Sequence, residues 1–199
     1  TVRPVACHRV IALDSPAHGM SRGWEGGATF GETAALVARF AVAAGLGEAA
    51  LAVIGHSWGS MVAAELPTHG LRPDRIVLLD PPALTEAETR ALLDEGARTL
   101  PPPAEVRAAI AAENPDWHPE DVAAKAEQLA AIDRERVPLI VLGNDWDGAI
   151  GAIGRAVAAG YPGERYRVVR GIPALGGMLP DDRLPRLGAL IGPDGIVTL

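Results

Sequence analysis

Apolar residues in this chain come in short unbroken runs separated by longer segments with helical spacing. "RVIALD" (Arg9–Asp14), "LAVIGH" (Leu51–His56), "RIVLLD" (Arg75–Asp80), "PLIVLG" (Pro138–Gly143) and "RYRVV" (Arg165–Val169) are the runs. A continuous run of this length predicts a strand buried on both faces, whereas a half-exposed strand would alternate. Between them, "ATFGETAALVARFAVAAGL" (Ala28–Leu46) has apolar positions at helical spacing and closes at glycine. Trp58–Leu66 predicts a short helix stopped by Pro67, and Ala149–Ala159 and Asp181–Ile191 two more. A glycine-rich loop, Gly19 to Gly27, follows the first strand. Strands alternating with helices predict an α/β fold, a mostly parallel sheet with helices on both faces.

The alternation breaks between Asp80 and Pro138. Thr85–Ala97, Ala104–Glu113 and Pro119–Ile132 have helical patterns, separated by the proline-rich "TLPPPAEV" and "ENPDWHPEDV". A parallel crossover needs only one helix. The expected organisation is therefore a core of residues 1–80 and 138–199 with a helical lid at 81–137.

Composition narrows the class without naming a chemistry. The 199 residues are 48% apolar, enough for one domain with a sizeable core. The net charge of −7 comes from scattered acids, and no basic stripe points to nucleic acid. Cys7 is the single cysteine, so no disulfide framework or cysteine metal cluster is expected, in keeping with a cytoplasmic setting. The first residues do not read as a signal peptide, and no run has the ~20 apolar residues of a membrane helix. No metal or organic cofactor is implied.

The chemistry concentrates at "GHSWG", a G-x-S-x-G pattern at Gly55–Gly59. It sits between a predicted buried strand and a predicted helix. A serine there must take strained backbone angles, and its neighbours two residues away must be tiny. Ser57 is thus a candidate nucleophile. The Trp58 N–H, opening the next helix, is a candidate oxyanion donor. "GHSWGS" lacks both the P-loop lysine and the G-x-G-x-x-G spacing, so nucleotide binding is disfavoured.

These segments resemble the α/β-hydrolase family. "VIALDSPAHGMS" is similar to its fourth strand and the loop D-x-P-G-x-G-x-S, with Ala17 in place of the first glycine. "VIGHSWGSMVAAEL" resembles the nucleophile elbow, "IVLLDPP" strand six, "VPLIVLGNDWDGAI" strand seven with the acid loop, and "VVRGIPALGGMLPDD" strand eight with its loop. The resemblance implies a serine hydrolase, esterase-like, acting on a small ester or acyl compound. Ser57 would be the nucleophile, and Asp147 the acid, with Asp145 and Asp80 as alternatives.

Two departures stand out. The family's strand-eight loop carries the histidine base, but here "IPALGG" places Gly177 at that position, and no histidine follows His118. His18, in the loop after the first strand, and His118, heading a lid helix, are the alternative bases. His56 adjoins the serine and should point elsewhere. The family's earlier strands and H-G-x-x-G-like loop are also missing, which leaves an exposed sheet edge suited to a homo-oligomer and fits a fragment or a truncated relative. The opposing expectation is a non-catalytic relative that binds a small apolar ligand or another protein.

Overall fold

The computed structural model describes residues 9–23, 25, 29–46, 51–79, 86–99, 101–102, 104–146, 166–169 and 196–198. Strands β1 (Val10–Ala12), β2 (Ala52–His56), β3 (Arg75–Leu79), β4 (Tyr166–Val169) and β5 (Ile196–Thr198) form one parallel sheet in the order β1-β5-β2-β3-β4. Helix α1 (Phe30–Ala43) joins β1 to β2, and α2 (Trp58–Glu65) joins β2 to β3. Between β3 and β4 come α3 (Glu86–Thr99), α4 (Val106–Glu113), α5 (Pro119–Ala130) and α6 (Arg136–Leu142).

The centre of the sheet follows from the unbroken apolar runs. Ile54 pairs with Val77 and Val53 with Ile76. Successive side chains on a strand leave opposite faces. Val53, Ile76 and Leu78 enter the core shared with α1 and α2, and Ile54 and Val77, on the other face, are buried too. The outer strand β1 departs from its expectation. Val10 and Ile11 are half-buried and Ala12 is exposed; among the described residues β1 pairs on one side, with β5.

Helix α1 starts where its side chains permit. Thr29 Oγ1 accepts from the Glu32 N–H at 3.1 Å, and Glu32 Oε2 accepts from the Thr29 N–H at 3.1 Å, a reciprocal capping box. Phe30, Ala34, Val37, Ala38 and Ala41 then face Met61, Val62 and Ala64 of α2. Gly45, at φ 70°, lies just past the helix end.

One predicted strand is a helix. Pro138–Gly143 was expected to add to the sheet, but residues 136–142 form α6. A short apolar run does not distinguish buried strand from buried helix, and here local polar groups decide. Asp133 Oδ1 accepts from the Glu135 and Arg136 N–H groups at 3.2 and 3.1 Å, supplying a helix start. Pro138 falls in the first turn, where its missing N–H costs nothing. After the helix, Asn144 accepts from the Phe30 N–H at 2.7 Å, and the Trp146 ring meets Phe30 edge-on at 5.1 Å. The run thus reaches the main core as a docked helix.

The other three helices agree with their patterns. Helices α4 and α5 pair around Val106, Ile110 and Val122, with Trp117 and Leu129 against them, a cluster separate from the main core. Helix α3 contacts α6. The strand Arg165–Val169 is present as β4. The predicted helices at Ala149–Ala159 and Asp181–Ile191 lie outside the described residues. Strand β5 was not anticipated, since it is only three residues long, two of them apolar.

Candidate functional site

Ser57 joins β2 to α2 with no intervening residue. Its backbone has φ 49° and ψ −119°, a region L-residues avoid. Two hydrogen bonds brace the turn: the Ser57 N–H donates to the Leu79 carbonyl at 2.9 Å, and the Ser60 N–H donates to the Ser57 carbonyl at 2.9 Å. The Ser60 hydroxyl also donates to that carbonyl. Glycine is required two residues before it, for a Cβ on Gly55 would overlap the Gly59 carbonyl and the Ser60 Cα. Ser57 itself is exposed, whereas Gly55, Gly59 and Ser60 are buried.

Trp58 is the first residue of α2, among the N–H groups that have no partner within a helix. Its half-buried ring lies 5.6 Å from Phe30. The indole Nε1 is shut off from solvent and has no partner among the described residues.

The loop after β1 is tightly wound. Asp14 Oδ2 accepts from the Met20 N–H at 2.8 Å. Ala17 holds φ 67° while fully buried. This is the position where the family motif carries glycine, and the left-handed backbone explains that preference. The Asp133 N–H donates to the Ala17 carbonyl at 2.9 Å, tying the loop to the start of α6.

The histidines are dispersed. His18 Nδ1 lies 2.9 Å from the Pro16 carbonyl, which can only accept, so Nδ1 is the donor of that hydrogen bond. His118 caps α5, its Nδ1 accepting from the Glu120 N–H at 3.4 Å. His69 ends the 3₁₀ turn beyond α2, its Nε2 beside Gly31. Half-buried His56 closes β2. Among the described residues, no hydrogen bond joins a histidine to the Ser57 hydroxyl.

Of the acid candidates, Asp145 follows α6 and is exposed between buried Asn144 and Trp146. The expected frame of a strand followed by an acid loop does not hold there, because α6 replaces the strand. Asp147, Asp80 and Gly177 lie outside the described residues.

A cavity of about 340 Å³ adjoins the turn, walled by Leu13 and Pro16 from the loop, Val37 and Phe40 from α1, and Trp58 and Val62 from α2. Sequence reasoning did not foresee it. Thr33, Leu36, Val37 and Phe40 recur at helical spacing, a pattern that fits core packing equally well.

Residues 5–101, just under half of the chain, match the family model of the alpha/beta hydrolase fold. This match places those residues in the α/β-hydrolase fold family. No curated protein and no solved structure gives a match. The α/β-hydrolase match spans β1 to α3 and includes the Ser57 turn. Among the described residues no helix is long and apolar enough to cross a membrane, and no group of His, Cys, Asp and Glu is arranged to hold a metal ion.

Proposed function

We propose that the chain is a serine hydrolase of the esterase type, acting on a small neutral ester or acyl compound. The observation that carries this is the backbone of Ser57, at φ 49° with an exposed side chain. Holding a non-glycine residue in such a conformation costs of order 1–3 kcal/mol, and strain of this kind gathers at functional sites. In the proposed reaction Ser57 Oγ gives its proton to a base and bonds the acyl carbon. The alcohol leaves with that proton, and water then hydrolyses the acyl-enzyme. The Trp58 N–H would meet the developing oxyanion. Asp147 would orient the base, with Asp145 and Asp80 as alternatives, and α3–α5 would form the lid. No cofactor is required.

The base is the weak member. Position 177 is glycine where the family motif has histidine. That supports a second reading, a relative of the hydrolases that binds a small apolar ligand without turning it over. Covalent labelling by a fluorophosphonate and turnover of p-nitrophenyl acetate, each on wild type and Ser57→Ala, separate the two. Labelling and slow turnover that both vanish in Ser57→Ala support the hydrolase. Equal behaviour of the two proteins would sink it.

A further inference from the structure

A second hydrophobic unit, outside the main core, frames a groove on the helical segment between β3 and β4. Helices α4 and α5 pack on each other through Val106, Ile110 and Val122. Hydrogen bonds fix the turn between them. Asn114 Nδ2 donates to the Ile110 carbonyl at 3.0 Å, and the Trp117 N–H donates to the Asn114 carbonyl at 3.1 Å. The Val122 N–H donates to the His118 carbonyl at 3.2 Å, so α5 starts directly after the turn. Trp117 is thereby held half-buried against the α4–α5 cluster.

Helix α4, this turn and the start of α5 wall a groove of about 500 Å³, within the roughly 300–1,000 Å³ of pockets that take small organic ligands. Trp117, Pro115 and Pro119 give it flat apolar surfaces. Arg107 is the one charged residue among the described lining. In a chain with 25 acidic residues against 18 basic ones, a groove with a cation and no carboxylate favours an anion. The Arg107 side chain has no hydrogen bond or ion pair among the described residues. Its neighbours three and four positions away are Pro103, Ala104, Ile110 and Ala111, none of which could pair with it along the helix. Arg90 on α3, by contrast, is held by Glu86 at 3.2 Å. A free guanidinium offers parallel N–H donors that match the two oxygens of a carboxylate. The indole face beside it suits a flat ring.

We propose that the groove between α4 and α5 binds a small planar aromatic carboxylate, its anionic end on Arg107 and its ring against Trp117. The groove shares no lining residue with the cavity beside the Ser57 turn, and this inference does not depend on the serine-hydrolase proposal.

The probes are 2-naphthoate and its neutral counterpart of nearly equal size, 2-naphthamide. Calorimetry on the full chain should show 2-naphthoate bound about three- to tenfold more tightly than the amide, the gap narrowing as salt is raised. Arg107→Gln should bring the two affinities together, and Arg107→Lys should keep part of the preference. Both variants alter an exposed side chain, so the fold should be retained. Ala108→Trp, at an exposed alanine in the wall, should fill the groove and weaken both probes at least tenfold. Ser57→Ala should bind both as wild type does. Equal affinity for acid and amide in wild type, or a preference for the acid that survives Arg107→Gln, would overturn the proposal. So would binding unchanged in Ala108→Trp, or binding lost in Ser57→Ala, which would put the probe at the turn instead. None of these readouts uses turnover, so failure here leaves the hydrolase proposal standing, and failure of that proposal leaves the groove.

Discussion

Gly55 and Gly59 touch so closely that the carbonyl of Gly59 occupies the place where a Cβ on Gly55 would stand. The two glycines let β2 pass straight into α2 with Ser57 at the apex. Gly55→Ala should force the strand and helix apart and destabilise the fold by about 1–3 kcal/mol, the usual cost of overpacking. Urea denaturation would measure it, and a loss under about 0.5 kcal/mol would show that the turn has slack.

The loop after β1 makes the opposite prediction. Ala17 is held at φ 67°. A left-handed L-residue costs about 1–2 kcal/mol, partly offset by the greater chain entropy of glycine. Ala17→Gly should therefore stabilise the protein by up to about 1 kcal/mol. A lower melting temperature in the variant would contradict this.

Asn144 links the end of α6 to the start of α1. Its side chain accepts from the Phe30 N–H and donates to the Ile140 carbonyl, both at 2.7 Å, in a buried setting. Asn144→Ala leaves those groups without partners and should cost about 1–3 kcal/mol. Because Phe30 also touches Trp58, near-ultraviolet circular dichroism should change with the loss.

Lys125 is the only lysine in the chain, and burial on α5 pushes its titration below the ordinary lysine range. The unfolded chain then holds the proton more tightly, so stability rises as pH climbs through the depressed folded value toward the ordinary one. Lys125→Met should be more stable than wild type at pH 7, with the advantage shrinking at alkaline pH. A constant difference between pH 7 and pH 11 would exclude this origin.

The proposed hydrolase reading predicts that a base can be supplied at position 177. Gly177→His should raise Ser57-dependent turnover of p-nitrophenyl acetate, by an order of magnitude or more if the ring is oriented. An unchanged rate would mean that position 177 does not face Ser57.

What could be read from the chain was whatever depends on near neighbours. The runs at Leu51–His56 and Arg75–Asp80 are apolar throughout, and only a strand in mid-sheet buries both faces, so β2 and β3 were legible. Gly55, Ser57 and Gly59 are legible because the steric demand spans five residues. The run at Pro138–Gly143 differs from its expectation because an apolar run of that length suits a buried strand or a buried helix equally, and groups outside it, near and far, settled the outcome. Asp133 starts a helix there, and Asn144 and Trp146 dock it against Phe30, over a hundred residues earlier in the chain. Strand β5 is too short to announce itself and exists through pairing with β1 and β2. The cavity has the same origin: residues of α1, α2 and a loop that no sequence pattern relates are brought to one wall by the order of the strands. The Ser57 turn is a local property and so was written in the sequence. Which groups surround it depends on long-range packing, which only the folded chain decides.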